Sequence, residues 1–179
     1  MKIIRTIISA ILFASICCSC IKEKLETTYN KQEESIDKYI SSNLKDDRTV
    51  SYNGGAARLT LVHGEGEELK PDGSVGFYYA GYVFKGSINA SSLFGTNHEA
   101  TATAAKWNLT EPDYEILEVN LEDGRLLEGV RDGLVGVKPG EECEILFSGK
   151  YGFGNTTFGI IPANSALAFK IWVVSVSND

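Results

Sequence analysis

At 179 residues the chain has room for one domain with an ordinary core, but not for two such domains and a linker. Its formal net charge is −7, and because Lys2 and Arg5 are the only charges in the first nineteen residues, the remainder stands at −9. An acidic body does not attract nucleic acid, so that class of partner is excluded.

In chain order, Lys2 and Arg5 precede an apolar run from Ile7 to Ile16, then Cys17, Cys18, Ser19 and Cys20. This is the layout of an export signal over residues 1–20, its apolar run too short to span a bilayer. Small Ser19 directly before Cys20 resembles a bacterial lipoprotein processing site, with Cys17 an atypical residue at the third position before it. Acylation of Cys20 would place the protein in the cell envelope, on a lipid anchor, with Cys143 as the remaining thiol and no intrachain disulfide. From Leu25 to Leu44 the residues Leu25, Tyr29, Ile36, Ile40 and Leu44 recur at helical spacing among polar neighbours, which predicts a helix with one narrow apolar stripe. That stripe either docks on the domain or pairs with a partner, such as a second copy of the chain. Ser41 to Arg48 ends the helix and Gly54-Gly55 marks a loop, so tether and helix are expected over 21–55 and the main domain over 56–179.

Leu59 to Val62 reads as a short strand. Val75 to Phe84 reads as a longer one, with Val75, Phe77, Tyr79 and Gly81 on one face and Gly76, Tyr78, Ala80 and Tyr82 on the other. Ser91 to Glu111 has no clean period, although Glu99 to Trp107 allows a helical turn or two. Tyr114 to Leu121 alternates with a slip at Ile116-Leu117, which predicts a bulged strand. Leu126, Leu127, Val130 and Leu134 predict a helix of about two turns stopped near Gly136, and Lys138-Pro139-Gly140-Glu141 is a turn signal. Cys143, Ile145 and Phe147 line one further strand, and Leu167, Phe169, Ile171 and Val173 the last. The pattern is α+β, an antiparallel sheet covering one short helix.

Hydrolase and nucleotide chemistry lack their usual motifs: there is no Gly-x-Ser-x-Gly elbow, no Gly-Lys-Ser/Thr phosphate loop and no dinucleotide fingerprint. His63 and His98 have no metal-ligand spacing, so no metal is expected, and no cofactor is called for. Cys143 shares a strand face with Ile145 and Phe147, as a buried inert thiol does. In contrast, the loop from Ser148 to Ser165 carries Tyr151, Phe153, Phe158, Ile160 and Ile161 among four glycines, which points to an apolar cleft.

Leu126-Leu127-Glu128-Gly129-Val130 with Gly133-Leu134, then Lys138-Pro139-Gly140-Glu141, Tyr151-Gly152-Phe153-Gly154 and Gly159-Ile160-Ile161-Pro162, resembles the FKBP-type peptidyl-prolyl isomerase family, in particular its Bacteroides-type lipoprotein members. The likeness runs over Leu59 to Val176. It implies a half-barrel antiparallel sheet wrapped around a short helix, and an aromatic pocket that receives proline. Position by position, it implies Tyr79, Phe94, Val130, Phe153, Ile161 and Phe169 as the catalytic pocket. It further implies Leu117, Leu126, Leu127, Phe158 and Ile160 as substrate-binding residues, the Leu127 N–H being the usual ligand contact. Val130 stands where the best-known members have tryptophan, Leu117 where an aromatic is usual, Gly95 where an acid is usual, and Phe153 where tyrosine is usual. Polar anchoring of macrolide ligands is therefore expected to be reduced. The 22 residues between Phe94 and Leu117 exceed the simplest members, and the inserted segment 98–116 either roofs the pocket or occludes it. The implied activity is non-covalent isomerisation of X–Pro bonds in exported proteins. Alternatives are a catalytically weak chaperone or proline-peptide binder on the same fold, and a structural envelope lipoprotein working through its N-terminal helix.

Overall fold

The computed structural model describes the backbone of residues 2–179 and the side chains of 22–179. Met1 and the side chains of the expected export signal, Cys20 included, lie outside the described residues. Helix α1 (Lys2–Asn43) leads into β1 (Thr49–Asn53), β2 (Ala56–Val62), β3 (Ser74–Val83), β4 (Leu93–Thr96), α2 (Glu99–Ala104), β5 (Leu117–Asn120), α3 (Glu128–Leu134), β6 (Glu142–Phe147) and β7 (Leu167–Ser177). Among the described residues no helix is long and apolar enough to cross a membrane.

All strand pairs are antiparallel, in the order β1-β2-β6-β7-β3-β4, with β5 sharing the β4 side of β3. The expected boundary at residue 56 leaves β1 outside the domain. The structure instead folds β1 onto β2 across Gly54-Gly55, both at positive φ, so the sheet begins at Thr49. The expected strand from Tyr114 is shorter: Pro112 starts a 3-10 turn over Glu111–Tyr114, capped by Thr110 and Asp113, and pairing begins at Leu117 with no bulge.

Period-two patterning gives the sheet two apolar faces. On the inner face, Val75 and Phe77 of β3, Cys143, Ile145 and Phe147 of β6, and Leu167, Phe169, Ile171 and Val173 of β7 bury against Val130 and Leu134 of α3. A Cβ on Gly129 would fall inside the Phe147 ring, and one on Gly133 would strike Ile145. Bare backbone on that side lets α3 lie directly on β6.

The outer face is covered as well. Ile36 and Ile40 of α1 sit on Ala57, Leu59, Leu146, Ala166 and Ala168, an alanine-rich floor that admits a helix at close range. Burying each isoleucine stabilises that contact by roughly 1.5–3 kcal/mol. The predicted stripe thus docks on its own domain at its C-terminal half, while Leu44, past the helix end, is 44% exposed. The inserted segment takes the other half of this face: Ala105 and Trp107 pack on Ala80, Tyr82 and Leu93, and His98 stacks on Trp172 at 3.8 Å. Over residues 98–107 it therefore lies behind the sheet rather than over the inner face.

Candidate functional site

Strand alternation aims Tyr79 inward at the end of the buried row Val75-Phe77. Its backbone is held by the segment after β4: the Tyr79 N–H donates to Asn97 Oδ1 at 2.6 Å, and the Tyr79 carbonyl accepts from Thr96 Oγ1 at 2.6 Å. The Asn97 amide also donates to the Glu115 carbonyl, bridging β3 to the start of β5. These two residues fix an implied site residue yet carry no motif of their own; the sequence marks them only by their place directly after Phe94-Gly95.

Phe169 is the centre of the site. Its ring lies 5.6 Å from Phe94, edge-on, 6.2 Å from Tyr79 and 5.9 Å from Phe147. Offset and edge-to-face pairs at such separations each add about 0.5–1.5 kcal/mol beyond burial. Phe169, Val130 and Ile161 form a buried floor, and half-buried Tyr79, Phe94 and Phe153 stand around it with Leu117, Leu126 and Leu127. Nine of the eleven apolar residues implied by the resemblance therefore meet in one cluster, contributed by β3, β4, β5, the α3 entry, the 148–165 loop and β7.

Phe158 and Ile160 stand apart from it. Phe158 and Ile161 exchange two backbone hydrogen bonds, 3.0 and 2.8 Å, across a turn with Gly159 at φ +54°. The tight turn sends Ile161 into the floor and leaves Ile160 73% exposed at the tip. Phe158, 59% exposed, stacks on Phe153 at 4.7 Å.

Polar groups at the cluster are few. Leu127 is the N-cap of α3; its carbonyl accepts from Val130 and Arg131, while its own N–H donates to no group among the described residues. Burial raises the Tyr79 hydroxyl above its usual pKa. A Cβ on Gly95 would meet nothing but the Tyr79 ring and hydroxyl, both at 3.9 Å, so the departure at Gly95 leaves open space beside that hydroxyl. Cys143 is fully buried on the inner face, its thiol pushed far up by desolvation and then by neighbouring Glu141. The arrangement suits holding an apolar group against a dry wall with one backbone donor at its edge.

Residues 65–174 match the family model for FKBP-type peptidyl-prolyl cis-trans isomerases. FK506-binding protein 1 of Aspergillus oryzae is 22% identical over 123 residues, which cover 69% of this chain and 99% of that protein. Among solved structures, FkpA from Escherichia coli superposes with a TM-score of 0.56 at 19% identity, covering 92% of this chain and 68% of that one. A peptidyl-prolyl cis-trans isomerase from Pseudomonas syringae gives 0.56 at 15% identity, covering 86% and 96%. The wheat FKBP73 structure with three FKBP domains gives 0.59 at 21% identity over 74% of this chain, which spans about half of it, 52%. At these identities the structural likeness shows the fold alone.

Proposed function

The chain belongs to the FKBP-type peptidyl-prolyl cis-trans isomerase family, and from that premise we propose that the cluster around Phe169 is the site at which X–Pro bonds of exported proteins are turned. Rotation about such a bond is opposed by amide resonance, with a barrier of roughly 18–20 kcal/mol for an ordinary peptide bond. Twisting removes that resonance and makes the imide less charge-separated, so a dry apolar wall favours the twisted form over the planar one. Each tenfold gain in rate needs about 1.4 kcal/mol of such preference. Tyr79, Phe94, Val130, Phe153, Ile161 and Phe169 would enclose the pyrrolidine ring, and the Leu127 N–H would hold a peptide carbonyl in register. No nucleophile or acid takes part in this reaction.

The observation that carries the reading is the convergence of six separate elements on one rim-and-floor cluster beside an uncommitted backbone donor. A protease-coupled assay on X–Pro tetrapeptides tests it: turnover abolished by Phe94→Ala in a folded chain supports the assignment, and unchanged turnover removes it. A second reading, a chaperone that grips unfolded segments, is favoured by the exposed apolar tip at Phe158 and Ile160. Prevention of client aggregation by a chain with no measurable isomerase rate would select it.

The Ser19-Cys20 pair supports a lipid-anchored form in the bacterial cell envelope. Two acyl chains supply the stable membrane affinity that one short apolar run lacks. Cys20→Ala should move the mature protein to the soluble envelope fraction. Full membrane retention of that variant, with an unlipidated parent, removes the proposal.

A further inference from the structure

The loop that walls the site leaves the sheet at Ser148 and returns at Ser165, and its two stems touch: a Cβ on Gly149 would meet the Asn164 carbonyl at 2.6 Å. Both stems are bound by one side chain of α1. The Gln32 carboxamide donates from Nε2 to the Asn164 carbonyl at 2.7 Å and accepts the Gly149 N–H on Oε1 at 2.9 Å. One turn earlier, the Tyr29 hydroxyl donates to Asn164 Oδ1 at 2.7 Å. Asn164 is itself at φ +59°, passes an amide hydrogen bond to Asn155 Oδ1, and donates its N–H to the Gly154 carbonyl at 2.6 Å. Glu33 adds a contact to the Ser148 hydroxyl at 3.1 Å. The helix therefore does more than cover the outer face.

We propose that Gln32, assisted by Tyr29, is a positioning residue for the isomerase site: its two-ended amide clamps the stems of the 149–164 loop together and so sets where Phe153 and Ile161 stand. This rests on the reading of the Phe169 cluster as that site. The Gln32 amide is suited to the task because one planar group presents a donor and an acceptor side by side, matching a carbonyl on one stem and an N–H on the other. Without the Gln32 amide the stems keep their own internal bonds and the single contacts to Tyr29 and Glu33, neither of which ties one stem to the other, and the loop opens more often. Phe153 and Ile161 then spend less time against Phe169.

The test uses the full-length chain with Gln32→Leu, Gln32→Glu and Ile36→Val, reading amide hydrogen exchange, peptide kinetics and thermal melting. Gln32→Leu removes both bonds. It should speed exchange of the Gly149, Gly154 and Asn164 amides on the order of tenfold, the equilibrium weight of about one net hydrogen bond. It should also raise KM for an X–Pro peptide by a similar factor, with kcat held within about twofold of the parent. Gln32→Glu keeps the acceptor for Gly149 but sets a carboxylate oxygen against the Asn164 carbonyl, and should behave as Gln32→Leu does. Ile36→Val loosens helix docking without touching the clamp; it should lower the melting temperature and leave loop exchange and KM at parental values. Parental loop exchange in Gln32→Leu, parental behaviour of Gln32→Glu, or loop opening in Ile36→Val as large as in Gln32→Leu would each overturn the proposal. A parent chain inactive on all X–Pro peptides would overturn the isomerase reading instead, and the exchange comparison would still decide whether Gln32 holds the loop.

Discussion

Gly81 lies on the inner face of β3, directly under the two rings that matter most to the proposed site. A methyl group there would stand 2.6 Å from Phe94 Cζ and 3.0 Å from Phe169 Cε1. Ordinary carbon contacts are about 3.5–4.0 Å, so Gly81→Ala forces a displacement of about 1 Å. The two rings do not share it equally. Phe169 is 8% exposed and held among Phe94, Tyr79 and Phe147, whereas Phe94 is half-buried at the rim with Phe169 as its ring neighbour, so Phe94 is the ring that yields. Overpacking costs about 1–3 kcal/mol, and replacing a strand glycine by alanine returns about 0.5–1 kcal/mol of backbone entropy. The net loss of stability is then about 0–2.5 kcal/mol, a fall of no more than about 10 °C in a domain of this size. Turnover should suffer more, because a misplacement of about 1 Å in a binding wall costs up to about a hundredfold in rate. The protease-coupled peptide assay, run beside a circular-dichroism melt, separates the two effects. Parental kcat/KM in a folded Gly81→Ala chain would refute the argument that the place of the Phe94 ring governs catalysis.

Phe169→Ala, which empties the centre of the aromatic cluster, should cost about 3–5 kcal/mol in denaturant unfolding, whereas Phe94→Ala should keep a cooperative melt close to the parent's while peptide turnover falls. Gly95→Asp combined with Phe153→Tyr should tighten macrolide binding more than it raises turnover, since Asp at Gly95 fills open space beside the Tyr79 hydroxyl and an unpaired buried polar group costs about 1–3 kcal/mol. Calorimetric titration decides this one, and tight binding by the parent would show that polar anchors are not what it lacks. Tyr39, Tyr79, Tyr82 and Cys143 are all raised in the folded chain, chiefly by burial. Folding then favours their neutral forms, so this stability is fully present below their unfolded values of about 8.5–10 and is lost as pH rises beyond them. The melting temperature should fall on that alkaline limb, and a flat profile from about pH 8 to 11 would contradict the burial of these groups.

Strands with a strict two-residue alternation were legible in the sequence nearly to the residue: Val75–Phe84 against Ser74–Val83 in β3, and the starts of β6 and β7. β1 was not. Thr49–Asn53 is a five-residue edge strand whose Val50/Tyr52 alternation is too short to stand out and buries little, Val50 being half-buried and Tyr52 exposed, and the Gly54-Gly55 pair reads as well as a domain boundary as it does as a hairpin. The residues of the Phe169 cluster were readable through family resemblance because apolar walls recur at fixed spacing. The polar residues that hold those walls were not: Asn97 and Gln32 act through single amide groups on partners 18 and 117 or more positions away, and no periodicity encodes that. The face taken by the 98–116 segment was equally hidden, since alanines and one tryptophan suit either side of a sheet.

The last strand in chain order is also the middle of the sheet. β7 alone joins the β1-β2-β6 half to the β3-β4-β5 half, pairing Phe147 with Leu167 on one side and Val83 with the same Leu167 on the other. A chain emerging from its N-terminus can therefore build only two unconnected half-sheets, each with a bare row of N–H and C=O groups where β7 will go. Closing contacts that span more than eighty residues pays loop entropy before any reward, which makes the step slow. Joining of the two halves, and with it the placement of Phe169 between Phe147 and the Tyr79 and Phe94 rings, therefore waits for Leu167–Ser177.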